Sequence, residues 1–181
     1  MHPRIMELLD YAELQRVALF AAVSLIPEPL RDGRSDPETW SAAEVLEHLH
    51  LVESGITWLL RRSVERAKAA GLEPENELGS MLGSLDALWL LDRSRRIKAP
   101  ELVMPRGELS AAQGMAALME SRRGLVSLLQ EADGLALGRI TQPHPLLGPL
   151  NMYQWVLFVG QHEARHASQV EDIARRLAGL E

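Results

Sequence analysis

The side chains best suited to chemistry are the histidines, at His2, His48, His50, His144, His162 and His166. His162 and His166 stand at i and i+4 in a segment of helical periodicity, so their rings share one helix face a turn apart. Two imidazoles so placed can hold one cation at nitrogen–metal distances of about 2.0–2.1 Å. The face they occupy is apolar, running through Trp155, Val159, Val170, Ile173 and Leu177. A buried polar side chain without a partner costs about 1–3 kcal/mol. A metal satisfies both rings at once, whereas two imidazoles do not easily satisfy each other.

A third ligand is expected from a facing helix, where His48 and His50 are the candidates. Two residues apart, they point about 200° apart around a helix. His48 is flanked by Val45 and Val52, whereas His50 is flanked by Glu47, Glu53, Ser54 and Thr57. His48 is therefore expected toward the core and His50 toward solvent. Three neutral imidazoles from two helices, with coordination positions left open, describe a catalytic type of metal site. His2, His50 and His144 are read as surface or packing residues.

His162-Glu163-Ala164-Arg165-His166 also fits the metalloprotease pattern H-E-x-x-H, with Glu163 as general base. The glycine-containing extension of that motif is absent, and the residues after His166 continue the same helix through Arg175, Arg176 and Leu177. No upstream sheet that could line a peptide is legible. The metal-bundle reading is therefore preferred.

A chain of 181 residues with 46% hydrophobic and 24% charged residues is expected to form one folded domain, residues 1–181. It contains no cysteine, so any transition metal must rest on His, Asp or Glu. The missing cysteines fit a cytoplasmic location. A net charge of −6 argues against nucleic acid as a partner. The best basic cluster, Arg93-Ser94-Arg95-Arg96-Ile97-Lys98, is short and reads as a solvated loop edge. No signal peptide is expected from Met1-His2-Pro3-Arg4-Ile5, and no stretch reaches the roughly 20 apolar residues of a membrane span.

Four segments must position the histidines. They run from about Pro3 to Leu25, Ser41 to Ala70, Ser110 to Ala132, and Asn151 to Leu177. Ser41 and Glu44 form a capping-box pattern, Asn151 is an N-cap candidate, and Gly71 is a C-terminal stop. The connection from Leu72 to Leu109 is long and irregular, with a short helix expected around Ser80–Asp92. No run alternates long enough to predict a sheet. The fold class is thus all-α, a four-helix bundle with a long crossover between helices 2 and 3.

The block Trp40-Ser41-Ala42-Ala43-Glu44-Val45-Leu46-Glu47-His48-Leu49 resembles the entry into helix two of the DinB-like family of bacterial four-helix proteins, which includes the YfiT-like metal hydrolases. Pro145-Leu146-Leu147-Gly148, with Trp155 through His162, Arg165, His166 and Gln169, resembles that family's helix-four signature. The resemblance implies that His48, His162 and His166 ligate one divalent ion, such as nickel, zinc or iron. It also implies metal-activated chemistry on a small molecule. Characterised members resemble S-transferases that activate a low-molecular-weight thiol, with hydrolysis as the other chemistry. A non-enzymatic metal- or ligand-binding role in stress response is the competing expectation, and a cleft reaching the metal would favour the enzyme.

Trp40 and Trp155 read mainly as packing residues, and Gln169 could orient a ligand histidine. Arg122 reads as a surface ion pair, with a hold on an anionic substrate group as the alternative. Metal uptake is expected to fall as the pH drops through the histidine range, near about 6.5. Leu82, Leu85, Leu88, Trp89, Leu90 and Leu91 crowd one short stretch of the crossover. Four consecutive large apolar residues cannot share one stripe, so some are expected at a homodimer contact.

Overall fold

A computed structural model describes residues 1–95 and 97–179, with Trp89 described by its backbone alone. Arg96 of the basic cluster and the Trp89 side chain, both invoked from the sequence, lie outside the described residues. Helices α1 (Pro3–Ser24), α2 (Ala42–Ala69), α3 (Ala111–Glu131) and α4 (Met152–Leu177) make the all-α bundle expected. Their ends follow local chemistry. Ser41 with Glu44, Ser110 with Gln113, and Asn151 with Gln154 each form a reciprocal capping box that satisfies the first backbone N–H groups. Pro3 opens α1 behind His2, whose ring accepts from the Arg4 N–H.

Inter-helix contacts fix the topology. Arg4 lies against Tyr153 and Arg16 against Glu163, so α1 runs parallel to α4. Ser121 donates to Glu53 and Arg61 donates to Glu131, so α2 runs parallel to α3. Each parallel pair makes one close approach at a glycine. A Cβ on Gly160 would lie 2.8 Å from the Tyr11 ring, and one on Gly114 would lie 2.8 Å from Leu46 Cβ. A parallel α2–α3 pair requires the chain to travel back the length of the bundle, which is the task of the long crossover.

The core falls into two apolar clusters. One gathers Ile5 and Leu8 of α1, Leu60 of α2, Leu125 and Leu129 of α3, and Tyr153 and Val156 of α4. The other gathers Leu19, Leu46, Leu118 and Val170. On every helix the residues between the two clusters include a polar one: Arg16, Glu53, Arg122 and Glu163. The waist of the bundle is therefore polar.

Two expectations differ from the structure. The segment Ser80–Asp92 is not an α-helix but a chain of turns, with a 3-10 turn only at Trp89–Leu91. A helix this short is marginal on its own. Here Leu85 and Leu90 are buried separately and Leu88 packs against the same cluster, so tertiary contacts override the local period. A two-stranded antiparallel hairpin, β1 (Thr141–His144) with β2 (Gly148–Asn151), precedes α4. Its four-residue strands each carry a proline and show no alternation of apolar with polar residue types, which hides them in the sequence. Gly148 takes φ 79°, a turn conformation that favours glycine.

Candidate metal centre

His48 projects from α2, and His162 and His166 from α4, into one space between the two helices. One ring nitrogen from each lies within 4.8 Å of the others. His162 Nε2 stands 3.4 Å from His48 Nε2 and 3.2 Å from His166 Nε2. The opposite nitrogens decide what these atoms offer. His48 Nδ1 is 2.7 Å from the Val103 carbonyl, which can only accept, so Nδ1 carries the proton. His166 Nδ1 likewise faces Gln169 Oε1 at 2.7 Å. In both neutral rings Nε2 then presents a lone pair inward, and the one proton His162 could place on its own Nε2 cannot serve both. A cation can serve all three.

The spacing agrees with that role. Nitrogens at about 2.0–2.1 Å from a tetrahedral ion lie about 3.3 Å apart, close to the two separations here. An all-imidazole set suits zinc, nickel and iron rather than magnesium or calcium. Burial disfavours the charged imidazolium. It lowers His48, lowers His162 well below the ordinary value with help from His166 and His48, and pushes His166 down to about 3. The metal-free cluster is therefore neutral, the form a metal requires. The rings are also held by packing. Phe158 stacks on His162 at 5.1 Å, and Trp40 lies 5.0 Å from His48 and stacks on His166 at 6.4 Å.

The other histidines stay outside this cluster. His50 is half-buried and its ring is 3.5 Å from the Ser54 hydroxyl, on the side away from His48. His144 sits on the hairpin, where its Nδ1 accepts from the Leu146 and Leu147 N–H groups. Its ring packs on Trp155 and Phe158, and burial pushes it down to about 4.

Glu163 does not face the histidines. One residue past His162, it is turned about 100° around α4. Its carboxylate accepts from Arg16 and from Arg122, while Glu53 accepts from Arg16, Arg122 and Ser121. Glu163 is fully enclosed and lines no part of the cavity that reaches the histidines. That removes the general base of the protease reading. Arg122 differs from its expectation as well, being a buried member of this four-charge group rather than a surface pair. One sign was available in the sequence: Arg16 sits between Ala12 and Leu19 on the buried stripe of α1.

A cavity of about 1240 Å³ opens onto the three histidines. It runs between α2 and α4 under the crossover and the hairpin, and its walls include Trp40, Trp155 and Gln169. Arg165 fastens the crossover above it by donating to the carbonyls of Leu90, Asp92 and Arg95 at 2.8–2.9 Å.

A family profile for the DinB superfamily matches residues 11–170. The chain belongs to that superfamily. It is also similar to the uncharacterised protein YuaE of Bacillus subtilis (strain 168), at 28% identity over 144 residues, which cover 77% of this chain and 80% of that protein. No solved structure matches it significantly. The matched span contains His48, His162 and His166 as well as the four buried charges. Among the described residues, no helix of this DinB-superfamily chain is long and apolar enough to cross a membrane.

Proposed function

We propose that His48, His162 and His166 hold one divalent metal ion (nickel, zinc or iron), and that the protein is an enzyme using it for S-transfer from a thiol, or for hydrolysis, on a small molecule. The observation that carries this is the convergence of three Nε2 atoms at the wall of an open cavity. Held by His48, His162 and His166, a divalent cation would lower the pKa of a water or thiol reaching it and so would supply a nucleophile near neutral pH. His48 and His166 keep their lone pairs inward through Val103 and Gln169. Phe158 and Trp40 exclude water from the ring faces. The size and openness of the cavity support an enzyme over a protein that only stores metal, because a storage site gains nothing from room for an organic molecule.

Elemental analysis of the purified protein is expected to give about one metal per chain. His48→Ala, His162→Ala and His166→Ala should each lose most of it, while His50→Ala keeps it. Metal lost from His50→Ala and retained by His48→Ala would sink the ligand assignment. Thiol consumption with a panel of electrophiles then separates transfer from hydrolysis.

We further propose that the chain pairs as a homodimer. Leu82 and Leu91 of the crossover remain exposed, at 38% and 52%, while Leu85, Leu88 and Leu90 turn to the core. A closed twofold contact is the commonest way to cover such residues. A light-scattering mass at micromolar concentration near the 20.1 kDa of one chain would overturn the pairing.

A further inference from the structure

The cavity is divided by chemistry as well as by space. Because α1 and α4 run parallel and α2 returns against them, Val52, Ile56 and Leu59 of α2 line it alongside Phe158 and Trp155 of α4. Leu147 of the hairpin turn and the ring of His144, which packs on Trp155 and Phe158 and is kept neutral by burial, also line this end. Among the described residues lining the cavity, the charged ones are Asp36, Glu38, Arg93, Arg95, Arg165, Asp172 and Arg176. All seven belong to the loop before α2, to the crossover, or to α4 from Arg165 onward. Arg93 is tied to Asp172, and Arg165 to the Arg95 carbonyl, which keeps the crossover members at the far end. The histidines stand between a charged end and an apolar end.

We propose that the hairpin end is the binding site for an uncharged aryl or alkyl body of the substrate, which delivers its reactive atom to the three histidines. It presupposes the small-molecule enzyme proposed above and names which part of the substrate goes where. Trp155 precedes His162 by two turns of helix, so the end is about 10 Å deep, the length of a fused bicyclic ring with a short tether. A charged group placed there would lose its hydration and meet no counter-charge, which is strongly unfavourable. An aromatic body would meet the Trp155 and Phe158 rings.

Gly55 gives independent support. It lies inside α2, where glycine costs roughly 1 kcal/mol relative to alanine. A Cβ built on it would meet no atom within 4 Å, so close packing does not require a glycine. What its missing side chain leaves is room, since Gly55 lines this same cavity. Leu146, at the hairpin tip, is 50% exposed and also borders the cavity, as a rim residue meant to meet an apolar ligand would.

The test uses N-phenyl-1-naphthylamine, an uncharged probe whose fluorescence rises in apolar surroundings, titrated into full-length protein of measured metal content. Saturable binding at one site per chain is expected. Gly55→Leu should weaken it at least about tenfold by filling the space, and folding is protected because leucine is the better helix former. Leu59→Glu should weaken it similarly by placing a carboxylate in the apolar end. Trp58→Glu alters an exposed apolar residue outside the cavity and should leave it unchanged. 1-Methylnaphthalene should displace the probe better than 1-naphthoate does. Equal binding by all variants, equal displacement by the carboxylate, or probe release as the protein self-associates would each overturn the assignment while metal content stays intact. Probe binding that is lost in Gly55→Leu supports it, even in protein found to hold no metal, the result that would sink the metal enzyme instead.

Discussion

In His48 and His166 the outer ring nitrogen sets what the inner one can do. For His48 the partner is a backbone carbonyl, which no substitution removes. For His166 it is Gln169, one turn along the same helix, and that can be tested. Removing the partner of a ligand imidazole typically weakens metal binding about 10–100-fold. Gln169→Leu is expected to fall in that range in competition against a chelator, whereas Gln169→Glu, which still accepts from Nδ1–H, should stay near wild type. Equal affinity in all three proteins would reduce Gln169 to a bystander. The meeting of His162 and His166 on one inward face was legible in the sequence because two periods coincide there: i, i+4 spacing for imidazoles and the apolar stripe of α4. Val103 was not legible. It lies 55 residues from His48, and only the path of the crossover brings its carbonyl into place.

At the scale of the helices, the buried charges explain how α4 is held at one rotation about its axis. His162 faces the cavity while Glu163, the next residue, is clamped by Arg16 of α1 and Arg122 of α3. Any rotation that disordered the histidines would have to break this clamp. Taking one partner out of a buried charge group costs about 3–5 kcal/mol, because the others are left unpaired in a poor solvent. Glu163→Leu is therefore expected to lower the urea midpoint by that equivalent yet still bind metal at saturation. A variant as stable as wild type but metal-free would instead make Glu163 part of the metal centre. Helix limits were readable to within a residue or two, since caps such as Ser41 with Glu44 and the stop at Gly71 are local signals. The buried four-charge group was not readable as a group. Arg122 and Glu53 each look like surface residues beside their sequence neighbours, and only the parallel pairing of α2 with α3 encloses them. The turns of the crossover were hidden for the same reason, because contacts distant in sequence hold them.

For the whole molecule, the buried histidines make stability depend on pH in a direction that can be worked out. Burial lowers His48, His162, His166 and His144 in the folded chain, the last two to about 3 and about 4. In the unfolded chain each returns to about 6.5. Between these values the unfolded state binds protons that the folded state does not, so stability is complete above about pH 6.5 and is lost as the pH falls toward 4. Each such histidine contributes a slope of up to about 1.4 kcal/mol per pH unit. Glu163 works in the opposite sense, because burial raises its carboxyl and lets the folded state take up a proton first. It is one group against four, so the histidines set the sign. Metal-free protein is therefore expected to unfold at less urea at pH 5.5 than at pH 7.5, with His144→Phe showing a shallower decline. Bound metal should raise the midpoint at both pH values, and its half-occupancy should come below pH 6.5, because the folded site resists protons. A urea midpoint that is flat or rising from pH 7.5 to 5.5 would mean that these imidazoles are not held neutral in the fold.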